Sequence, residues 1–226
     1  NLIVRNQFYV YAGATMNDGA AGQTHTFSAN VMLGGTVNFT NKILLDSPSG
    51  NSVYNTVIGS TITFGTADIE IKGYIWIGSD NTNSTRLHVQ GNLNLTERYI
   101  VIRRGSSITG TVGKAFYQSN NTNLYVRGDD NYPTGFGSYT HEPGAFVRYD
   151  ENINQVVRGG INYPHLYLYF GTRHGVGVKT LDGSINIDGN LYVYTEDTST
   201  VTFNVLTYDV TLTGNIHENF NGIYPR

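Results

Sequence analysis

The chain has 226 residues, long enough for one large all-β domain or a run of small repeats. Only 14% are charged, against roughly a quarter in ordinary soluble domains, and the formal net charge is -3 with no basic cluster. This argues against nucleic-acid binding through phosphate neutralisation. There is no cysteine, so disulfides, thiolate metal sites and cysteine nucleophiles are excluded together.

Polarity comes instead from Asn, Thr, Ser and 27 Gly, alongside 17 Tyr and 10 Phe, a composition that points to an extracellular β-rich protein. No apolar run approaches the ~18 residues of a membrane span, so membrane insertion is not expected. The chain opens at Asn1 and reads as a processed chain or a segment of a longer one.

In chain order, alternation of apolar residues recurs at the period of a β-strand, and no helical spacing persists for three turns. Phe8 and Val10 alternate with Tyr9 and Tyr11. Val31 and Leu33 precede a Gly34-Gly35 corner, followed by Val37 and Phe39. Ile69 and Ile71 lead to Gly73, then Ile75 and Ile77 alternate with Tyr74 and Trp76. Leu87 and Val89 lead to Gly91-Asn92, then to Leu93 and Leu95, then to Ile100 and Ile102. Tyr167 and Tyr169 alternate with Leu166, Leu168 and Phe170. Ile185 and Ile187 lead to Gly189-Asn190, then Leu191 and Val193 alternate with Tyr192 and Tyr194. Val210 and Leu212 lead to Gly214-Asn215 and Ile216.

The unit is a short strand, a Gly or Gly-Asn corner and another short strand. Gly and Asn tolerate the positive φ that a sharp corner is expected to need. A Gly-Asn pair also suits a hairpin, which would lead to a sandwich or barrel. The repetition of one corner type favours a β-solenoid, as does the loose match of Phe8–Asn17 with Ile100–Thr109 and of Tyr54–Gly78 with Tyr163–Val193. Turns of roughly twenty to twenty-five residues would give about ten coils and a rod of ~50 Å. The expected layout is solenoid coils over 1–116, a long lateral loop over 117–144, poor in alternation and rich in Asn, Gly, Asp and Tyr, and further coils over 145–226. Long loops are more often functional than short ones.

Residues Gly144–Val193 resemble a unit repeated in very large secreted surface proteins of the Bacteroidota. A strand ending in Tyr (Val147–Tyr149) is followed by a polar turn and a Gln-x-Val strand (Gln155–Val157). An aliphatic strand follows, and the unit closes on K-T-L-x-G-x-I-x-I-x-G-N-L, matched at every named position by Lys179–Leu191. The N-terminal stretch "YAGATMNDGAAGQTHTFSANVMLGGTVNFTN" looks like the same family. These motifs describe architecture and say little about chemistry. The resemblance implies export to the cell surface, commonly by the type IX route, and a role as adhesin, filament shaft or gliding-motility adhesin.

No catalytic, cofactor or metal set is expected. The carboxylate pairs Asp68 with Glu70 and Glu196 with Asp197 have the residue types of a glycosidase, but they sit beside turns where surface charge is ordinary. His25, His88, His141, His165, His174 and His217 show no metal spacing. Asp129 and Asp130 are oxygen donors of the kind Ca²⁺ takes, without the periodic Gly-Asp repeat of calcium-binding rolls. The triplet Arg127-Gly128-Asp129 is too short to carry weight. Four sequons fall at Asn38, Asn83, Asn94 and Asn120. The strongest lead is the set of outward aromatics Tyr74, Trp76, Tyr167, Tyr169, Tyr192 and Tyr194, with Tyr9 and Tyr11 beside it. Such rings either clad the sheet through cross-strand packing or form a contact surface. The expected function is a non-enzymatic cell-surface adhesin or shaft segment, with other coils or chains of the same surface protein and surface polysaccharide as partners. A β-helical polysaccharide lyase or hydrolase and a β-sandwich carbohydrate-binding module are the alternatives.

Overall fold

The computed structural model describes residues 1–57, 60–78, 84–171, 176–196 and 199–219. Every strand pair among them is parallel, and each strand bonds to one about a turn away in sequence. The chain is an all-β solenoid, and the hairpin-paired sandwich is excluded. Parallel partners require a crossover rather than a tight turn.

Each turn has three faces. One face is an unbroken ten-stranded sheet, the spine, running from Gln7–Val10 to Ile216–Asn219. A seven-stranded sheet precedes it in each turn, from Ile3–Val4 to Ser138–His141. A shorter third face follows the spine, as in Thr61–Thr63, Arg86–His88 and Ser107–Thr109.

The register explains the core. Ile75, Ile100, Leu124, Val147, Leu166 and Leu191 are successive partners in the spine, so the apolar residue of each turn stacks on the next. Ile43, Ile69, Leu93 and Phe116 do the same on the preceding face. Val31, Leu33, Ile69, Ile71, Ile75, Ile77, Leu93, Leu95, Ile185, Ile187 and Leu191 are all buried in one continuous cluster, and Val193 packs against it partly buried.

The corner glycines serve a different purpose from the one expected. Gly73, Gly91, Gly189 and Gly214 are not among the residues with positive φ. A Cβ on Gly73 would lie 2.0 Å from the Ser47 backbone nitrogen, and one on Gly91 would lie 2.2 Å from the Ala67 carbonyl oxygen. These corners are glycine because the backbone of the preceding turn touches them. The Asn beside them binds between turns: Asn92 Oδ1 accepts from the Ala115 N–H and Asn190 Oδ1 from the Asn215 N–H.

The lateral loop expected over 117–144 is not what the chain forms. Ala115–Gln118, Asn123–Val126 and Ser138–His141 are strands of the two main sheets, and only the stretch between the last two departs from the ladder. That stretch folds inward, burying Tyr132 and Phe136 in the core.

Here the solenoid changes its faces. The seven-stranded sheet ends at Ser138–His141, and a new three-stranded sheet starts at Asn162–Tyr163. The third face ends in the Thr109–Thr134 bridge and restarts at Gln155–Val157. The turn from Val147 to its spine partner Leu166 takes 19 residues, whereas that from Ile75 to Ile100 takes 25. Buried side chains add further hydrogen bonds to carbonyls around this junction, and the carbonyls of Ile102, Arg103 and Thr122 accept a backbone N–H as well. Asn131 Nδ2 donates to the carbonyls of Ile102, Arg103 and Ser106. Gln155 Nε2 donates to those of Val126 and Gly128, and Gln118 Nε2 to those of Thr122 and Phe146. The fully buried Lys179 donates to the carbonyls of Glu151 and Ile153 and to Gln155 Oε1.

Candidate functional site

All six candidate aromatics lie on the outer face of the spine sheet, because each alternates with an inward aliphatic residue there. Register aligns them with residues not singled out in the sequence. Trp76, Val101, Tyr125, Arg148, Tyr167, Tyr192 and His217 form one column of successive partners. Tyr74, Tyr99, Asn123 and Phe146 form a second, and Tyr169 pairs with Tyr194 in a third. Trp76 and Tyr192 are five strand steps apart, about 24 Å along the rod.

The rings are in contact along this length. Tyr74 and Tyr99 centroids are 4.6 Å apart, Tyr99 and Tyr125 5.4 Å, and Phe146 and His165 4.7 Å. Tyr167 stacks on Tyr194 at 4.9 Å and Tyr192 on His217 at 4.8 Å. Arg148 sits at the centre, its guanidinium 4.6 Å from the Tyr167 centroid, 5.1 Å from Phe146 and 5.4 Å from Tyr125. Its Nε donates to Asn123 Oδ1 at 2.7 Å. Arg98 lies over Tyr74, Arg103 over Trp76 and Arg127 over Tyr125. Each cation–π contact of this type stabilises by about 0.5–1 kcal/mol at an exposed site. Desolvation raises the phenol pKa values of Tyr99, Tyr125 and Tyr194, so these rings stay neutral well above neutral pH.

The rings differ in exposure. Tyr167 is only 2% exposed, covered by Arg148 and the neighbouring tyrosines, so it underlies the face instead of presenting a surface. Tyr74, Trp76, Tyr169, Tyr192 and Tyr194 are half-buried. Tyr9 and Tyr11, near the other end of the sheet, are the most open, at 44% and 71%. Alternation identifies the outward side but carries no information about what neighbouring turns lay over it.

The remaining candidates are dispersed. Asp68 Oδ1 accepts from the Asn92 N–H. Glu70 is engaged by Lys42, Lys72 and Thr96; desolvation works to raise its carboxyl pKa, but the bonds from Lys42 and Thr96 prevail and hold it below the usual range. Glu196 accepts from the Tyr169 hydroxyl at 2.6 Å, and Asp197 lies outside the described residues. Asp129 and Asp130 are exposed, and Arg127 of the same stretch is held bidentately by Asp150 at 2.8 and 3.0 Å. Among the described residues no group of three or more His, Asp or Glu is placed to hold a metal ion. His25 lies by Asp18, His88 by Thr109, His141 in the junction, and His165 and His217 on the aromatic face; His174 lies outside the described residues. Of the sequons, Asn38 and Asn120 are exposed, Asn94 is half-buried, and Asn83 lies outside the described residues.

Fold and face together define a parallel β-solenoid with one outer side clad in aromatic and arginine side chains. No protein-family model, curated protein or solved structure matches the chain.

Proposed function

We propose that this chain is a non-enzymatic segment of an extracellular surface protein, a shaft that attaches to its partner through the outer face of the spine sheet. The observation that carries the reading is the column of contacting rings and arginines from Trp76 to His217, all on one side of the rod. Tyr, Trp and Arg are the residues partner surfaces favour, since each joins an apolar plane to a polar tip. The resemblance to secreted Bacteroidota surface proteins supports the same reading, with type IX export and gliding motility as the setting. Asp68, Glu70 and Glu196, the described carboxylates of the polysaccharide-lyase alternative, are tied up in structural bonds, which weakens that reading.

The test replaces Tyr192 and Tyr194 together with Thr, which keeps strand propensity and removes both rings. Cells or beads displaying the variant should adhere several-fold less than those displaying the parent, while far-UV circular dichroism stays unchanged. Undiminished adhesion by a folded variant would reduce these rings to sheet cladding.

A further inference from the structure

An open groove of about 370 Å³ lies beside the spine sheet where the chain turns into it from the preceding face. Its walls are corners of successive turns, Thr96–Tyr99 and Asn120–Asn123, and the Tyr74 ring closes one side. The volume is at the small end of sites that hold small ligands, about 300–1,000 Å³. Tyr74 and Tyr99 meet at 59°, so the groove has an aromatic wall of two tilted planes. Arg98 is exposed at its rim, with its guanidinium 5.4 Å from the Tyr74 centroid.

Two features separate this groove from ordinary surface. Arg98 adopts φ of 58°, a left-handed conformation that an arginine takes at a cost and that Gly or Asn would accept more readily. Its guanidinium has no carboxylate partner among the described residues, whereas Glu97, the acid in the groove, is 3.9 Å from Lys72. The exposed Asn121, also left-handed, adds an amide whose donor and acceptor have no partner among the described residues. The groove thus joins an aromatic wall, an amide and an uncompensated, pre-oriented cation.

We infer that this groove is a subsite for an acidic pyranose, a sugar ring bearing a carboxylate or sulfate within a polysaccharide chain. The apolar face of the ring packs on Tyr74 and Tyr99, its hydroxyls bond to Asn121 and Glu97, and its anionic group pairs with Arg98. Arginine suits this task because its planar fork matches the oxygens of carboxylate and sulfate. The inference rests on reading the spine side as a contact surface, and adds the ligand class and the residue that selects it.

Affinity electrophoresis tests it, with polygalacturonate, its methyl ester, dextran sulfate and dextran each cast into native gels. The parent should be retarded by polygalacturonate or dextran sulfate, and the two acidic gels tell carboxylate from sulfate. The uncharged methyl ester and dextran should leave it free. Arg98→Gln should weaken the retardation by at least about tenfold, the loss expected when one charge-assisted contact is removed. Arg98→Lys should retain part of it. Arg5→Gln, the same change of net charge at an exposed site remote from the groove, should leave it intact. Equal retardation by charged and neutral gels, no retardation at all, or an Arg98→Gln protein that behaves as the parent would each overturn the subsite. If acidic glycans do not bind but adhesion still depends on Tyr192 and Tyr194, the subsite fails and the attachment face stands; if both are absent, both fail.

Discussion

Replacing Gly73 with Ala separates two accounts of the corner glycines, because they predict opposite signs. Gly73 has no positive φ, so if only backbone freedom mattered, Ala would restrict the unfolded chain and stabilise the protein by about 0.4–1 kcal/mol. The structure places the new methyl 2.0 Å from Ser47 N, 2.5 Å from Ser47 O and 2.7 Å from Ser47 Cα. These are backbone atoms of the previous turn and cannot swing aside. The turns must separate locally, straining the bonds from the Gly73 N–H to Leu45 O and from the Tyr74 N–H to Ser47 O. Overpacking of this kind costs about 1–3 kcal/mol and a lost hydrogen bond about 1 more; against the gain of about 0.4–1 from the unfolded chain, the net expectation is a loss of roughly 1–3.5 kcal/mol. Urea unfolding followed by far-UV circular dichroism should show a lower midpoint at unchanged m-value. A raised midpoint would refute the close-approach account.

Ile187→Ala should cost about 2–5 kcal/mol by the same assay, because its stacked neighbours Tyr163 and Leu212 are fixed by register and close poorly around the gap. Burial lowers the His141 pKa to about 4 from 6.5, so the unfolded chain takes up the proton first as pH falls. Stability present above pH 6.5 should therefore be lost between pH 6.5 and 4, by roughly 2–4 kcal/mol; the slope should become clearly shallower in His141→Gln, leaving the part due to His165, which burial also lowers. Burial also lowers Lys179 to about 8 from 10.5. Between pH 8 and 9.5 the unfolded chain holds more protons, so stability should climb by about 2 kcal/mol, and Lys179→Met should abolish the climb though it lowers overall stability. A flat parent profile there would mean that the ammonium is better solvated than its position implies.

What the sequence made legible follows from alternation. Ile69, Ile71, Ile75 and Ile77 announce two inward strands around one corner, and the structure buries all four. The third face was legible only in part: Val37 with Phe39 and Leu87 with Val89 read as alternation, whereas Ile62 and Ile108 stand as single apolar residues between polar ones in Thr61–Thr63 and Ser107–Thr109. The stretch 117–144 read as a loop because its inward residues include Gln118, Asn131, Tyr132 and His141, which break the apolar pattern while filling the junction. His141 is held there as the neutral Nδ1–H form, donating to Gln118 Oε1 and accepting from the Tyr132 hydroxyl, since both Gln118 Nε2 protons go to carbonyls. On the outer face, the pairs Tyr74/Trp76, Tyr167/Tyr169 and Tyr192/Tyr194 were visible as alternation. Arg148 was not, because its place among three rings depends on the register of turns 19 to 25 residues long.

The junction also bears on how the rod carries load. Tension along its axis pulls adjacent turns apart against their inter-strand hydrogen bonds. Over most of the length, several ladders share that force. Between Ser138–His141 and Asn162–Tyr163, no backbone hydrogen bond is made among the described residues, and the spine with its flanking side-chain bonds carries most of the strain. Yielding should begin there. A folded turn adds ~4.8 Å to the rod, but the same two dozen residues drawn straight span about 80 Å. A solenoid that gives way at one internal joint can therefore lengthen many-fold under a tug while the turns on either side stay wound.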